Sequence, residues 1–289
     1  MRKSVLLVLA LLVFAALPTK ASHLIGGEVT WSCLTTGPNA GKVIFRVAVY
    51  RECGGISFND ASLSLTSNSP AGNIVCSRIA PGLNVSPSCY SGQQACVGPS
   101  ANGSIEQHVF QSAPITLNGT PPTTGWTFYW ETCCRPDGLL NMPGSSGQSF
   151  RLRAVMKPFS PGGVGTPALN MNPCYDSSPS FAEAPISVIC SGYTYTYSHN
   201  AADVDLDEME YSLTAPLGSS GTPISSTGGY TWTLTPGPGP FPSSPAMQFN
   251  TVTGNITITP QIGGGYASSV KIETRRCGQV IADVYRDIP

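Results

Sequence analysis

The chain has 289 residues and a formal net charge of −1, and 11% of its residues are charged, against about a quarter in a typical soluble domain. With no basic surplus to neutralise phosphates, a nucleic-acid partner is not expected. Ten cysteines, 31 glycines and 26 prolines among so few charges suit an exported β protein.

Residues 1–21 hold the three parts of a secretory signal: Arg2 and Lys3, the apolar run Val5 to Leu17, and the small-residue stretch Thr19-Lys20-Ala21. The mature chain is expected to begin near Ser22, more acidic than the precursor, because cleavage removes Arg2, Lys3 and Lys20 and no acid. The apolar run is short for a membrane span and no later stretch approaches one, so no span is expected after signal cleavage.

Beyond the signal, short β-branched and aromatic runs bounded by Gly, Pro, Asn and Ser replace helical periodicity, which predicts an all-β chain. The first expected strands are Gly27 to Cys33, Lys42 to Tyr50, Ala61 to Thr66, His108 to Gln111, Trp126 to Cys133 and Phe150 to Met156. They fall in a disulfide-rich N-terminal β domain, residues 22–157, whose segment Cys76 to Gly103 reads as a loop. Residues 158–172, rich in Pro, Gly and small side chains, read as a linker. A β-sandwich of immunoglobulin-like size is expected over 173–289, with strands Ile186 to Ile189, Tyr193 to Tyr197, Glu210 to Thr214, Tyr230 to Leu234, Asn255 to Thr259 and Val270 to Thr274. Pro236 to Pro245 reads as an extended loop, since prolines donate no ladder hydrogen bonds.

The cysteines, Cys33, Cys53, Cys76, Cys89, Cys96, Cys133, Cys134, Cys174, Cys190 and Cys277, are expected to form five disulfides in an oxidising compartment. No CxxC spacing occurs, which argues against a zinc ribbon or a thioredoxin-type site. Adjacent Cys133 and Cys134 would point to opposite faces of a strand and take different partners.

The densest acidic stretch is Asp203-Val204-Asp205-Leu206-Asp207-Glu208. Three carboxylates at alternate positions repel unless compensated, and calcium, which takes six to eight oxygens in flexible geometry, is the natural counterion. Asp203, Asp205 and Asp207, with Asn200 or main-chain carbonyls, are the candidate ligands; the competing reading is a solvated acidic turn. The spacing excludes an EF-hand.

His23, His108 and His199 are scattered and form no metal-binding spacing, and neither a GxSxG elbow nor a P-loop occurs. The chain is therefore read as non-enzymatic. Tyr193, Tyr195 and Tyr197 alternate along one strand face and form a candidate recognition surface if that face is exposed; Trp126, Phe128, Tyr129 and Trp130 are a second candidate for a sugar-stacking platform, and for both groups the competing, favoured reading is core or cross-strand packing.

Several blocks carry a family resemblance: Ser22-His23-Leu24-Ile25-Gly26-Gly27-Glu28-Val29-Thr30 after the signal, Val49-Tyr50-Arg51-Glu52-Cys53, Cys133-Cys134-Arg135, and Asn172-Pro173-Cys174-Tyr175-Asp176-Ser177-Ser178-Pro179. In order and spacing they resemble the N-terminal region of large exported surface proteins of Bacteroidota, of the kind that end in gliding-motility or type IX secretion sorting domains. The Asp-x-Asp-x-Asp turn before Tyr211-Ser212-Leu213, and the later Phe249-Asn250-Thr251-Val252-Thr253-Gly254-Asn255-Ile256-Thr257, resemble a cadherin-like module of the dystroglycan or polycystic-kidney-disease kind. Leu206 stands where such modules commonly have glycine, and Met209 where leucine is common. Arg275 to Ile288 resembles the closing hairpin, after which a terminal strand normally continues, so the chain is expected to be a fragment.

The resemblance implies a secreted protein at the bacterial cell surface: an adhesin or stalk segment, joined to further domains and facing an extracellular glycan or protein surface, with calcium stiffening the second module. The competing function is a glycan-binding accessory module of a secreted polysaccharide-degrading enzyme.

Overall fold

The computed structural model describes residues 24–288 apart from 56, 87, 90–91, 94–95, 97–103 and 186–187. The signal segment, His23 and the start of the strand expected at Ile186 lie outside the described residues, as does the side chain of Cys89. The chain is all-β: two 3-10 turns, Ser145–Gly147 and Ser219–Gly221, are its helical elements among the described residues.

The strands of the first half are β1 (Leu24–Cys33), β2 (Val43–Glu52), β3 (Ser62–Ser67), β4 (Ile74–Arg78), β5 (Leu83–Asn84), β6 (Ser88–Cys89), β7 (Gly92–Gln93), β8 (Ile105–Ser112), β9 (Trp126–Cys133) and β10 (Ser149–Met156). Those of the second half are β11 (Ser180–Phe181), β12 (Tyr195–Tyr197), β13 (Ala201–Ala202), β14 (Glu208–Thr214), β15 (Gln248–Phe249), β16 (Ile256–Ile258), β17 (Ser268–Arg276) and β18 (Gln279–Ile288).

Alternation explains the first core. Val43, Phe45, Val47 and Val49 of β2 are all fully buried, as are Phe150, Leu152 and Ala154 of β10, while Trp126, Phe128 and Trp130 of β9 turn the same way. Phe45 and Phe128 meet with ring centroids 4.4 Å apart. The outward face of β9 and β10 is polar, with the Arg151 guanidinium 3.6 Å from the centre of the Tyr129 ring. Fully burying each large apolar side chain contributes about 1.5–3 kcal/mol.

The sheet closes on itself. Its order runs β1-β2-β8-β4-β3-β9-β10-β18-β17-β14, and β1 also pairs with β18. β17 occupies one edge of β18 along its length. The other edge is shared: Ala282, Asp283 and Val284 pair with Met156, Val155 and Ala154 of β10, and Arg286 and Asp287 pair with Glu28 and Gly27 of β1. The C-terminal strand thus stitches the seam between the first and last strands of the N-terminal half, spanning the stretch 158–172 where the sequence suggests a linker. Gly27 is required at the seam, since a Cβ there would lie 2.5 Å from the Ala48 carbonyl oxygen and 2.7 Å from Leu152.

β14, β17 and β18 form one wall of a second core, faced by a three-stranded sheet in the order β12-β16-β15. Tyr197, Tyr211, Leu213, Ile256, Ile258, Val270, Ile272 and Ile288 pack between them, a sandwich built on strands that also belong to the large sheet.

The expected strand Tyr230 to Leu234 is not formed; those residues are turn and irregular chain. Their hydroxyls satisfy the local backbone instead: Thr231 Oγ1 donates to the Thr233 carbonyl at 2.7 Å and Thr233 Oγ1 to the Thr235 carbonyl at 3.2 Å. The Trp232 indole donates to the Ile224 carbonyl and is buried in a small cluster with Met142. The strand expected over Tyr193 to Tyr197 is formed only over its last three residues, and Val188 and Ile189 are irregular. Cys76 to Arg78, read as the start of a loop, end strand β4, with Cys76 fully buried.

Candidate functional site

The acidic stretch is the turn between β13 and β14. Asp203 organises it: Oδ1 accepts the Asp205 amide at 2.9 Å and the Asp207 amide at 3.3 Å, an Asx-type turn. Leu206 takes a left-handed φ of 63°, the conformation that glycine would adopt most easily, with its side chain 89% exposed. The exposed side chain adds no packing to offset the backbone cost of that conformation.

A fourth carboxylate comes from elsewhere in the chain. Asp176 lies in a segment laid against β1: the Trp31 indole donates to the Asp176 carbonyl at 3.0 Å, the Trp31 amide to Ser178 Oγ at 2.9 Å and the Cys33 amide to Ser177 Oγ at 3.1 Å. The Cys33–Cys174 disulfide fixes the same segment. The Ser177 amide then donates to Asp205 Oδ2 at 2.7 Å, joining this segment to the acidic turn. One carboxylate oxygen from each of Asp176, Asp205 and Asp207 lies within 4.8 Å of the others.

Among the described residues, the cation facing them is Arg276. Arg276, at the end of β17, donates from Nε to Asp207 Oδ1 at 2.8 Å, from Nη2 to Asp207 Oδ2 at 2.5 Å and Asp176 Oδ1 at 3.1 Å, and from Nη1 to the Tyr175 carbonyl at 3.0 Å. One guanidinium does not balance four carboxylates. Asp176 Oδ2 and Asp203 Oδ2 are buried without a partner, and Asp176 is 1% exposed. Burial pushes the Asp176 carboxyl up to about 8, and Asp207, Asp205 and Asp203 add to the rise against the opposing pull of Arg276. Burial likewise raises Asp203, against the pull of the two turn amides. Such a site gains from a further hard cation, whose oxygen preference these carboxylates match.

Asn200 takes a φ of 44° and its side-chain amide donates to Glu183 at 3.3 Å. Asp176 and Arg276 are the participants that local spacing misses. Both lie in blocks that the resemblance singles out, but only the fold brings residues 69 and 100 positions apart onto one guanidinium.

The three tyrosines do not share one environment. Tyr193 precedes β12 and is 74% exposed, Tyr195 is half-buried and Tyr197 is buried. The Tyr195–Tyr197 face turns toward the sandwich core. Trp126, Phe128 and Trp130 are core, and Tyr129 carries the Arg151 stack. His108 contacts Arg78 and Glu106, while His199 is fully buried against the rings of Tyr197 and Tyr211.

Three disulfides are formed among the described residues: Cys33–Cys174, Cys53–Cys96 and Cys133–Cys134. Cys76, Cys190 and Cys277 are free thiols, so five bridges are not formed. The expectation that Cys133 and Cys134 take different partners fails, because β9 ends at Cys133 and strand alternation no longer directs Cys134; the two are bonded to each other across a cis peptide. Disulfides of this kind belong to an oxidising environment. Among the described residues no helix is long and apolar enough to cross a membrane.

Comparisons with protein-family models, with curated proteins and with solved structures find no match to this chain.

Proposed function

We propose that this chain is a non-enzymatic exported surface protein, an adhesin or stalk segment, in which calcium bound by Asp176, Asp203, Asp205 and Asp207 locks the acidic turn to the segment disulfide-bonded to β1. The observation that carries the reading is the buried, unpartnered Oδ2 of Asp176, clustered with the carboxylates of Asp205 and Asp207 and close enough to Asp203 to feel its charge, with the Arg276 guanidinium to balance them. Calcium supplies the missing positive charge there, and the chain's own residues do the rest. Asp203 holds the turn through its amide contacts, Ser177 ties Asp205 to the Asp176 segment, and Arg276 orients Asp207. Cross-linking the first and second halves of the chain at this point suits a part that transmits force to an extracellular glycan or protein surface. The Bacteroidota resemblance supplies the cellular setting, and further domains of a larger protein would carry it.

The test is calcium titration of the oxidised chain by calorimetry, with magnesium as the control cation. Wild type should bind one calcium, and Asp176→Asn and the triple change of Asp203, Asp205 and Asp207 to Asn should both lose it. At a hundred times its dissociation constant, calcium should add about 2.7 kcal/mol of stability. No heat of binding and no shift in melting temperature with calcium would remove the stiffening role.

A further inference from the structure

A cavity of about 510 Å³ lies between the seam of the large sheet and the second core, walled mainly by apolar side chains such as Ile105, Leu139, Ile258 and Ile262. That volume falls within the range of small-molecule pockets. Its wall is reached from solvent at Ile262, which is 56% exposed, and at Val188, which is 37% exposed.

Charge selects the ligand. Among the described residues on the wall, the charged side chains are Glu52, Arg135 and Asp137. Arg135 is 1% exposed and forks onto the Asp287 carboxylate at 2.6 and 3.2 Å, so its charge is neutralised within the fold. The other two are acids, Glu52 half-buried and Asp137 exposed. Asp137 Oδ1 accepts the Gly138 amide at 2.9 Å, and among the described residues Oδ2 accepts no hydrogen bond. An apolar cavity whose reachable charge is negative favours a cation over a neutral molecule or an anion.

The aromatic part of the wall points the same way. Phe241 and Tyr266 are half-buried, with ring centroids 6.4 Å apart and planes at 70°. The turn that carries Asp137 is fastened to this corner: Leu139 bridges Gly265, and the Leu140 amide donates to the Gly265 carbonyl at 2.9 Å, immediately before Tyr266. The acid and the rings therefore share one end of the cavity. An aromatic ring face attracts a cation, most strongly where water is excluded. A quaternary ammonium fits best, because it brings no N–H donor that an apolar wall would leave unpaired. We infer that this cavity binds an apolar organic cation, a quaternary ammonium with an aryl or alkyl body, its charge held by Asp137 and the rings of Phe241 and Tyr266. The site is independent of the calcium reading, sharing no residue with it.

The experiment titrates the full oxidised chain by calorimetry with trimethyl(2-naphthylmethyl)ammonium, and with 2-naphthylacetate as the anionic control. Wild type should bind the ammonium saturably at one site and the carboxylate about tenfold or more weakly. Asp137→Asn keeps the oxygen that receives the Gly138 amide but removes the charge, and should weaken the ammonium by about tenfold. Phe241→Leu keeps the wall apolar without the ring and should weaken it by about fivefold. Ile262→Trp, at the exposed part of the wall, should narrow the cavity and weaken binding without changing the melting temperature. No saturable ammonium binding by wild type overturns the inference, as does naphthylacetate bound as tightly or an Asp137→Asn affinity equal to wild type. Binding that ignores Ile262→Trp places the cation outside the cavity, at the acidic turn, and overturns it equally.

Discussion

Asp176→Asn in the presence of chelator is the most discriminating perturbation of the acidic site. The carboxyl titrates near 3.8 when unfolded and is pushed up to about 8 when folded, so between those values the folded chain holds a proton that the unfolded chain has released. Folding stability contributed by this group is therefore complete below about pH 4, declines as pH rises, and levels off above about pH 8. At about 1.4 kcal/mol per pH unit, four units cap the loss at about 6 kcal/mol. The pull of Arg276, which holds Asp176 Oδ1 at 3.1 Å, is already contained in the value of about 8, so about 6 kcal/mol is the upper bound and a smaller loss is expected. Urea unfolding at half-unit intervals from pH 4 to 9 should show wild-type stability falling relative to Asp176→Asn, with at most one proton's slope. Calcium should flatten the difference for wild type alone. Parallel wild-type and variant profiles in chelator would refute the argument that burial and neighbouring carboxylates burden this group.

Three further outcomes follow from other parts of the fold. His199, fully buried with both ring nitrogens unpartnered, has its pKa driven down to about 3 by burial and by Arg286, so its contribution is intact above about pH 6.5 and is lost as pH falls toward 3; His199→Phe should reduce acid sensitivity in that window, measured by melting temperature. Gly27→Ala sets a Cβ against the Ala48 carbonyl at the barrel seam and should destabilise by about 3 kcal/mol, with hydrogen exchange rising first in β1 and β18. Replacing Cys33 and Cys174 by Ser opens a bridge between residues 141 apart, and should cost about 2–5 kcal/mol in urea unfolding and weaken calcium binding, because the Asp176 segment is no longer fastened to β1.

The sequence alone determined what is local. The β-branched and aromatic runs Lys42 to Tyr50, Trp126 to Cys133 and Phe150 to Met156 specified strands, and their alternation matches the buried face that the structure shows, because a period of two buries one side of a half-covered sheet whatever it packs against. The turn chemistry of Asp203 to Asp207 was equally legible, since an Asx-type turn needs only its own neighbours. Where local chemistry competed, as in Thr231 to Thr235, hydroxyl bonds to the nearby backbone overrode a plausible strand pattern. Only the tertiary structure decided the rest. That β18 closes the seam between β1 and β10, that Asp176 and Arg276 join the acidic turn, and that Cys33 bonds Cys174 are all matters of which segments meet after the chain has folded. Strand pairing is selected by the burial and hydrogen bonding of the whole assembly, and no residue's immediate neighbours encode that sum.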